Sequence, residues 1–201
     1  MGGVERRPTV TQLNVRTGYA TVNPFLITRD ADGLMRFLTD VFGGVDHPDA
    51  RTMDDDGLLL HAELQIGDTT VMFAERKPGW PFTPALLQVY VEDVETTLER
   101  AERGGAEVIT RPTDFFGDHV FSRFLDPWRN LWWVYSVAAA PEGGENDTSG
   151  DDGSVDSAGD ESSAADWQPT PQLTYLHDTL LDAFPRLQDP YAAGPTSHSS
   201  S

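Results

Sequence analysis

The stretch TVNPFLITRDADGLMRFLTDVFGG (residues 21–44) returns, 61 to 63 residues later, as PALLQVYVEDVETTLERAERGG (84–105). Each copy is an apolar, β-branched run that ends in an acid, Asp30 or Asp93, suited to the N-terminus of a helix. A helical stretch follows in each and stops at a glycine pair, Gly43-Gly44 or Gly104-Gly105, the composition of a left-handed C-cap. The halves then stay in step. DGLLLHAELQIGDTTVMFAE (56–75) matches DHVFSRFLDPWRNLWWVY (118–135) as strand, turn and strand, with Gly67-Asp68 opposite Arg129-Asn130. A short strand is expected before each hairpin, near 45–52 and 106–111. Each half therefore reads β-α-β-β-β. One such unit cannot cover its own sheet, so two are expected to pack into one α+β domain with helices on one sheet face and a curved trough on the other.

Outside the repeat the material changes. The chain has 201 residues, no cysteine, and 33 acids against 14 bases, a formal charge of −19. Residues 139–201 hold 12 of the acids and one base, Arg186, which leaves 21 acids and 13 bases for residues 1–138. From Glu142 to Asp166 nine acids alternate with little but Gly, Ser and Ala, so this stretch is expected to be disordered. Beyond it, Thr170 and Pro171 introduce Leu173, Leu176, Leu180, Phe184 and Leu187 at helical spacing. This predicts an amphipathic helix that docks either on its own domain or in a partner's groove. The expected organisation is a polar leader (1–18), a domain (19–138, modules 19–76 and 84–138), an acidic linker (139–168), the helix (169–188) and a tail (189–201). No apolar run is long enough for a membrane span, the start lacks the apolar core of a signal peptide, and cysteine is absent, so a cytoplasmic address is expected. Scattered arginines and the single Lys77 form no basic patch on an acidic surface, which argues against nucleic acid as a partner.

The duplicated module resembles that of the vicinal oxygen chelate superfamily, which includes glyoxalase I, extradiol dioxygenases, and fosfomycin- and bleomycin-resistance proteins. The wording is closest to the PhnB-like branch in three places: VNPFLITRDADGLMRFLTDVFGG, LLHAEL and FFGDHVFSRFLDPWRNLWWVYS, within residues 20–137. Two positions depart from the pattern. Relatives commonly carry Arg where His119 stands and Gly where Arg129 stands. The resemblance also implies metal-ligand positions, which fall by register on Asn23, Leu86, Val71 and Trp133. Leucine, valine and tryptophan offer a cation nothing, and a lone asparagine is a poor ligand. The resemblance thus implies a member without the usual metal site and without a cofactor; a relocated site at His61, Glu63 and His119 is the alternative.

Strand alternation then assigns faces. Leu60, Ala62, Leu64, Ile66 and Leu87, Val89, Val91 are expected beneath the helices. Their alternates line the trough: Phe25, His61, Glu63, Gln65, Phe73, Gln88, Tyr90, Phe121, Arg123, Trp133 and Tyr135. Exposed together, these aromatics would form an unusually large apolar patch, so a small organic ligand, a second subunit, or both should cover them. His61 and Glu63 are the candidate acid-base pair, and Arg123 either anchors an anionic ligand group or pairs with Glu63. The function read from the sequence is small-molecule binding without a metal, in a homodimer. Two alternatives stay open: a glyoxalase-like lyase or isomerase or another enzyme of the superfamily, such as a transferase, with a displaced metal site, and a scaffold whose acidic tail and helix (170–187) bind a protein.

Overall fold

The computed structural model describes residues 17–115, 119–137 and 170–192. The acidic linker, nearly all of the leader and most of the tail lie outside them. The first module runs β1 (Phe25–Thr28), α1 (Ala31–Phe42), β2 (Val45–Asp46), β3 (Thr52–Met53), β4 (Leu59–Ile66) and β5 (Thr69–Glu75). The second runs β6 (Leu86–Tyr90), α2 (Val94–Arg103), β7 (Glu107–Phe115), β8 (His119–Leu125) and β9 (Leu131–Val137), and α3 (Pro171–Ala183) follows. The strand expected near 45–52 is split around a 3-10 turn at Pro48–Ala50. Both modules share one topology, β1-β5-β4-β2 and β6-β9-β8-β7, with the first strand parallel to the last and the rest antiparallel.

The helices start where the acids stand. Asp30 accepts from Gly33 N at 3.0 Å and Asp93 from Thr96 N at 3.0 Å. At the far ends Gly43 (φ 70°) and Gly105 (φ 89°) take the left-handed conformation, so in the second module the cap falls on the second glycine of the pair. Both helices enter a single core. Leu34, Leu38 and Val41 of α1 meet Leu26, Ala62, Leu64 and Phe73 of the first sheet, and the same cluster takes in Leu98 and Ala101 of α2 and Phe124, Trp132 and Val134 of the second. The helix-bearing faces of the two sheets thus share one interior, and their helix-free faces belong to separate sheets.

Two local expectations are corrected. Phe73 and Val71 point to the helices, because Phe73 registers with Leu26 and Ala62, and the helix-free row of β5 is Thr70 and Met72. Leu60 is exposed and Leu59 enters the core instead: β3 pairs with β4 through a register shift, Thr52 opposite His61 and Met53 opposite Leu59, and the extra residue reverses the phase. In the turn between β8 and β9, Arg129 takes the left-handed conformation (φ 70°). A side chain with a Cβ is strained there. Arg129→Gly is therefore expected to raise stability by about 0.5–1 kcal/mol, read by urea denaturation; a loss would show that the guanidinium contributes more than the backbone costs.

Candidate functional site

The helix-free face of the first sheet carries the polar cluster. His61 and Glu63, two residues apart on β4, share that face, and the backbone spacing of about 7 Å leaves their contact optional. It is made: His61 Nε2 lies 2.9 Å from Glu63 Oε1. The Tyr19 hydroxyl donates to the same carboxylate oxygen. Glu63 is buried, and Phe25 stands beside His61 with ring centroids 6.3 Å apart. Residues 17–19 cross the face, held where the Thr70 hydroxyl donates to the Gly18 carbonyl. Between this strap and the segment that runs from His47 through Asp49 to Thr52 at the start of β3 lies a cavity of about 750 Å³ whose floor is Glu63, Gln65 and Thr70. Tyr19 and Thr70 were not candidates from the sequence. The aromatic at the edge of a polar leader was the only signal for the first, and β5 phase concealed the second.

The helix-free face of the second sheet is covered by the chain itself, which corrects the expectation of one open aromatic trough. Thr170 caps α3 by accepting from Leu173 N at 3.2 Å, and Pro171 fills the first helical position. Leu176 packs on Phe121 and Tyr135; Ala183, Leu180 and Leu187 pack on Leu125, Leu131 and Trp133. Phe184, on the expected stripe, is 45% exposed because the helix tightens into a 3-10 turn at Phe184–Arg186 and Ala183 takes the inward place. Polar contacts hold the helix too: Arg111 N donates to the Tyr175 hydroxyl at 3.0 Å, Arg186 pairs with Glu107 at 2.9 Å, and buried Arg76 pairs with Asp189 at 2.6 Å. Of the two docking modes open in the sequence, the helix adopts the one on its own domain.

Arg123 lies under α3, 5% exposed. Its guanidinium sits 4.5 Å from the ring centroids of both Phe121 and Trp133 and donates to the Leu176 carbonyl at 2.7 Å. The expected alternative of a pair with Glu63 is thereby corrected, since the two stand on different sheets. Burial drives the Arg123 pKa down to about 10. Gln88 and Tyr90 remain exposed on edge strand β6, where the Gln88 amide donates to the Tyr90 hydroxyl at 3.0 Å and Tyr90 approaches Tyr135 at 5.5 Å. They line a groove of about 710 Å³ between the modules, over Phe42, Val71 and Trp132.

The family's metal positions do not fit a metal. The Asn23 amide closes a turn with Ala20, accepting from its N–H at 2.9 Å and donating to its carbonyl at 2.7 Å. Val71 faces the core, Leu86 is an exposed apolar edge residue, and Trp133 packs under α3. Among the described residues no three His, Asp or Glu side chains converge as a ligand set would. No helix among them is long and apolar enough to cross a membrane.

The two modules have relatives among known proteins. Uncharacterized proteins of Mycobacterium bovis and Mycobacterium tuberculosis are 28% identical over 122 residues, which is 55% of this chain and 79% and 71% of theirs. Among solved structures, TioX from Micromonospora sp. ML1 is 24% identical and aligns over 60% of this chain and 98% of its own, with a TM-score of 0.45. The PhnB protein of Bacillus cereus is 17% identical over 59% of this chain and 100% of its own, with a TM-score of 0.48. A family model spans residues 18–134, from the strap through both modules to the last strand, and by that match the chain belongs to the Glyoxalase/Bleomycin resistance protein/Dioxygenase superfamily.

Proposed function

We propose that this protein binds a small organic molecule on the helix-free face of its first module, without a metal. The observation that carries the reading is the convergence of Tyr19 and His61 on buried Glu63 at the floor of a cavity of about 750 Å³. Glu63, with Asp49 on the wall, favours a ligand that brings hydrogen-bond donors or a positive charge. Expected from this is a rise in melting temperature with a matching ligand that chelator leaves unchanged, since binding only the folded state stabilises it by mass action. Native mass spectrometry of freshly purified protein identifies any small molecule that co-purifies. Glu63→Gln keeps the shape and removes the charge, and is expected to weaken binding by about tenfold or more. Unaltered affinity in that variant, or a stoichiometric divalent ion in the mass spectrum, would overturn the reading.

The 2.9 Å contact of His61 with Glu63 favours a second reading, proton transfer by a lyase or isomerase, in which the carboxylate orients the imidazole as base. Turnover abolished by His61→Ala with binding retained would select it. A second copy of the chain is the proposed cover for Phe25, Leu86 and Tyr90, which stand 50%, 48% and 63% exposed on the free edge strands β1 and β6. The same mass spectrum reports subunit number.

A further inference from the structure

Four side-chain polar atoms among the described residues are buried without a hydrogen-bond partner, and three belong to His119, Arg123 and Trp133. Alternation along β8 and its pairing with β9 put all three on the helix-free face of the second sheet, the face that α3 covers. The atoms are His119 Nδ1, Arg123 Nε and Trp133 Nε1. Arg123 is the costly member. Its Nη1 donates to the Leu176 carbonyl at 2.7 Å and reaches the Thr110 and Thr179 hydroxyls at 3.2 and 3.4 Å, all neutral acceptors. No ion pair among the described residues includes it. A buried guanidinium is ordinarily matched by a carboxylate or phosphate, and a helix carbonyl already bonded within its own helix is a weak substitute. The helix therefore covers this face in shape and leaves the guanidinium, stacked between the Phe121 and Trp133 rings, without an anionic partner.

We propose that the second module holds a site for a small organic anion with a flat apolar body, and that α3 is a displaceable occupant of that site. The anion pairs with the Arg123 fork, the unpartnered Nε included, and the flat body lies along Phe121, Trp133 and Tyr135 where Leu176 now packs. The Leu176 carbonyl stands in for an anion oxygen. Ligand and helix then exclude one another, so the helix lowers apparent affinity by the fraction of time it is docked. This site is separate from the Glu63 cavity on the other sheet, and each can fail without the other.

Benzoate is the probe, with benzyl alcohol as its uncharged counterpart, both added to the full chain. Hydrogen exchange of the amides of residues 173–183 reports docking of α3, and calorimetry reports binding. Saturating benzoate is expected to speed exchange in α3 by about tenfold or more while leaving α1 and α2 unchanged. Leu180→Gln with Ala183→Gln loosens the helix without adding charge, and this double variant is expected to bind benzoate about tenfold more tightly than the parent chain. Arg123→Met in the same background is expected to abolish binding, whereas Glu63→Gln leaves it intact. Exchange in α3 indifferent to benzoate in the parent chain would overturn the proposal even if the double variant failed to fold. Equal affinity for benzyl alcohol, or binding that survives Arg123→Met, would overturn the assignment of an anion.

Discussion

Asp126→Ala is expected to cost about 4 kcal/mol of unfolding free energy, an estimate from the number of donors it strands. Asp126 is 1% exposed, at the end of β8. One carboxylate oxygen accepts from Trp128 N at 2.9 Å and Asn130 N at 2.8 Å; the other accepts from Asn130 Nδ2 at 2.8 Å and Trp132 Nε1 at 2.9 Å. Asn130 in turn accepts from Ala85 N at 2.9 Å, so the same turn fixes the start of β6. Alanine leaves four buried donors without an acceptor, each costing on the order of 1 kcal/mol or more. Asp126→Asn keeps one acceptor oxygen and sets an amide N–H₂ against two donors, for roughly half that loss. Urea denaturation gives both values, and a loss below about 1.5 kcal/mol in the alanine variant would mean that water replaces the carboxylate.

The asparagine variant also carries a pH signature. Burial pushes the Asp126 carboxyl up to about 6, against the opposing pull of its bonds from Trp132, Asn130 and Trp128. The folded pKa thus lies above the unfolded value of 3.8, and the folded chain holds this proton more tightly. That contribution is fully present below about pH 4 and is lost as pH rises through about 6. The stability difference between the parent chain and Asp126→Asn is expected to shrink by about 2 kcal/mol between pH 4 and 7. The remaining charge of the chain is common to both proteins and cancels in the comparison.

Period and punctuation carried most of the fold. Asp30, Asp93, the glycine pairs and Thr170-Pro171 each mark an element boundary that local chemistry sets, and the structure puts the boundaries there. Alternation carried less. It fixes which side chains share a face only until the ladder slips, and the extra residue at Leu60 reversed the phase at the start of β4. For β5, a run of TTVMFAE is apolar enough on both faces for either phase. The candidate site divided along the same line. The His61–Glu63 pair was legible because i and i+2 on a strand share a face whatever surrounds it. The cover over Arg123 was not, because it depends on where a helix 53 residues further on comes to rest.

Phe37→Ala tests the feature that no period reveals, the joining of the two modules through their helices. Phe37 belongs to α1 of the first module and is 5% exposed. Its ring meets two aromatic rings of the second module edge-on, Phe124 at 6.2 Å and Trp128 at 5.9 Å. Gly104, which ends α2, gives it room: a Cβ there would come within 2.7 Å of the Phe37 ring. Removing the ring leaves a cavity between the modules and is expected to cost about 4 kcal/mol. Gly104→Ala alone is expected to cost about 2 kcal/mol, because the Phe37 ring is wedged by its two neighbours and cannot yield. In the Phe37→Ala background the added methyl enters the vacated space, so there Gly104→Ala is expected to be neutral or stabilising, a coupling of about 2 kcal/mol across a double-mutant cycle. Strict additivity of the two changes would mean that the ring and the glycine do not touch, and that the modules meet by some other surface.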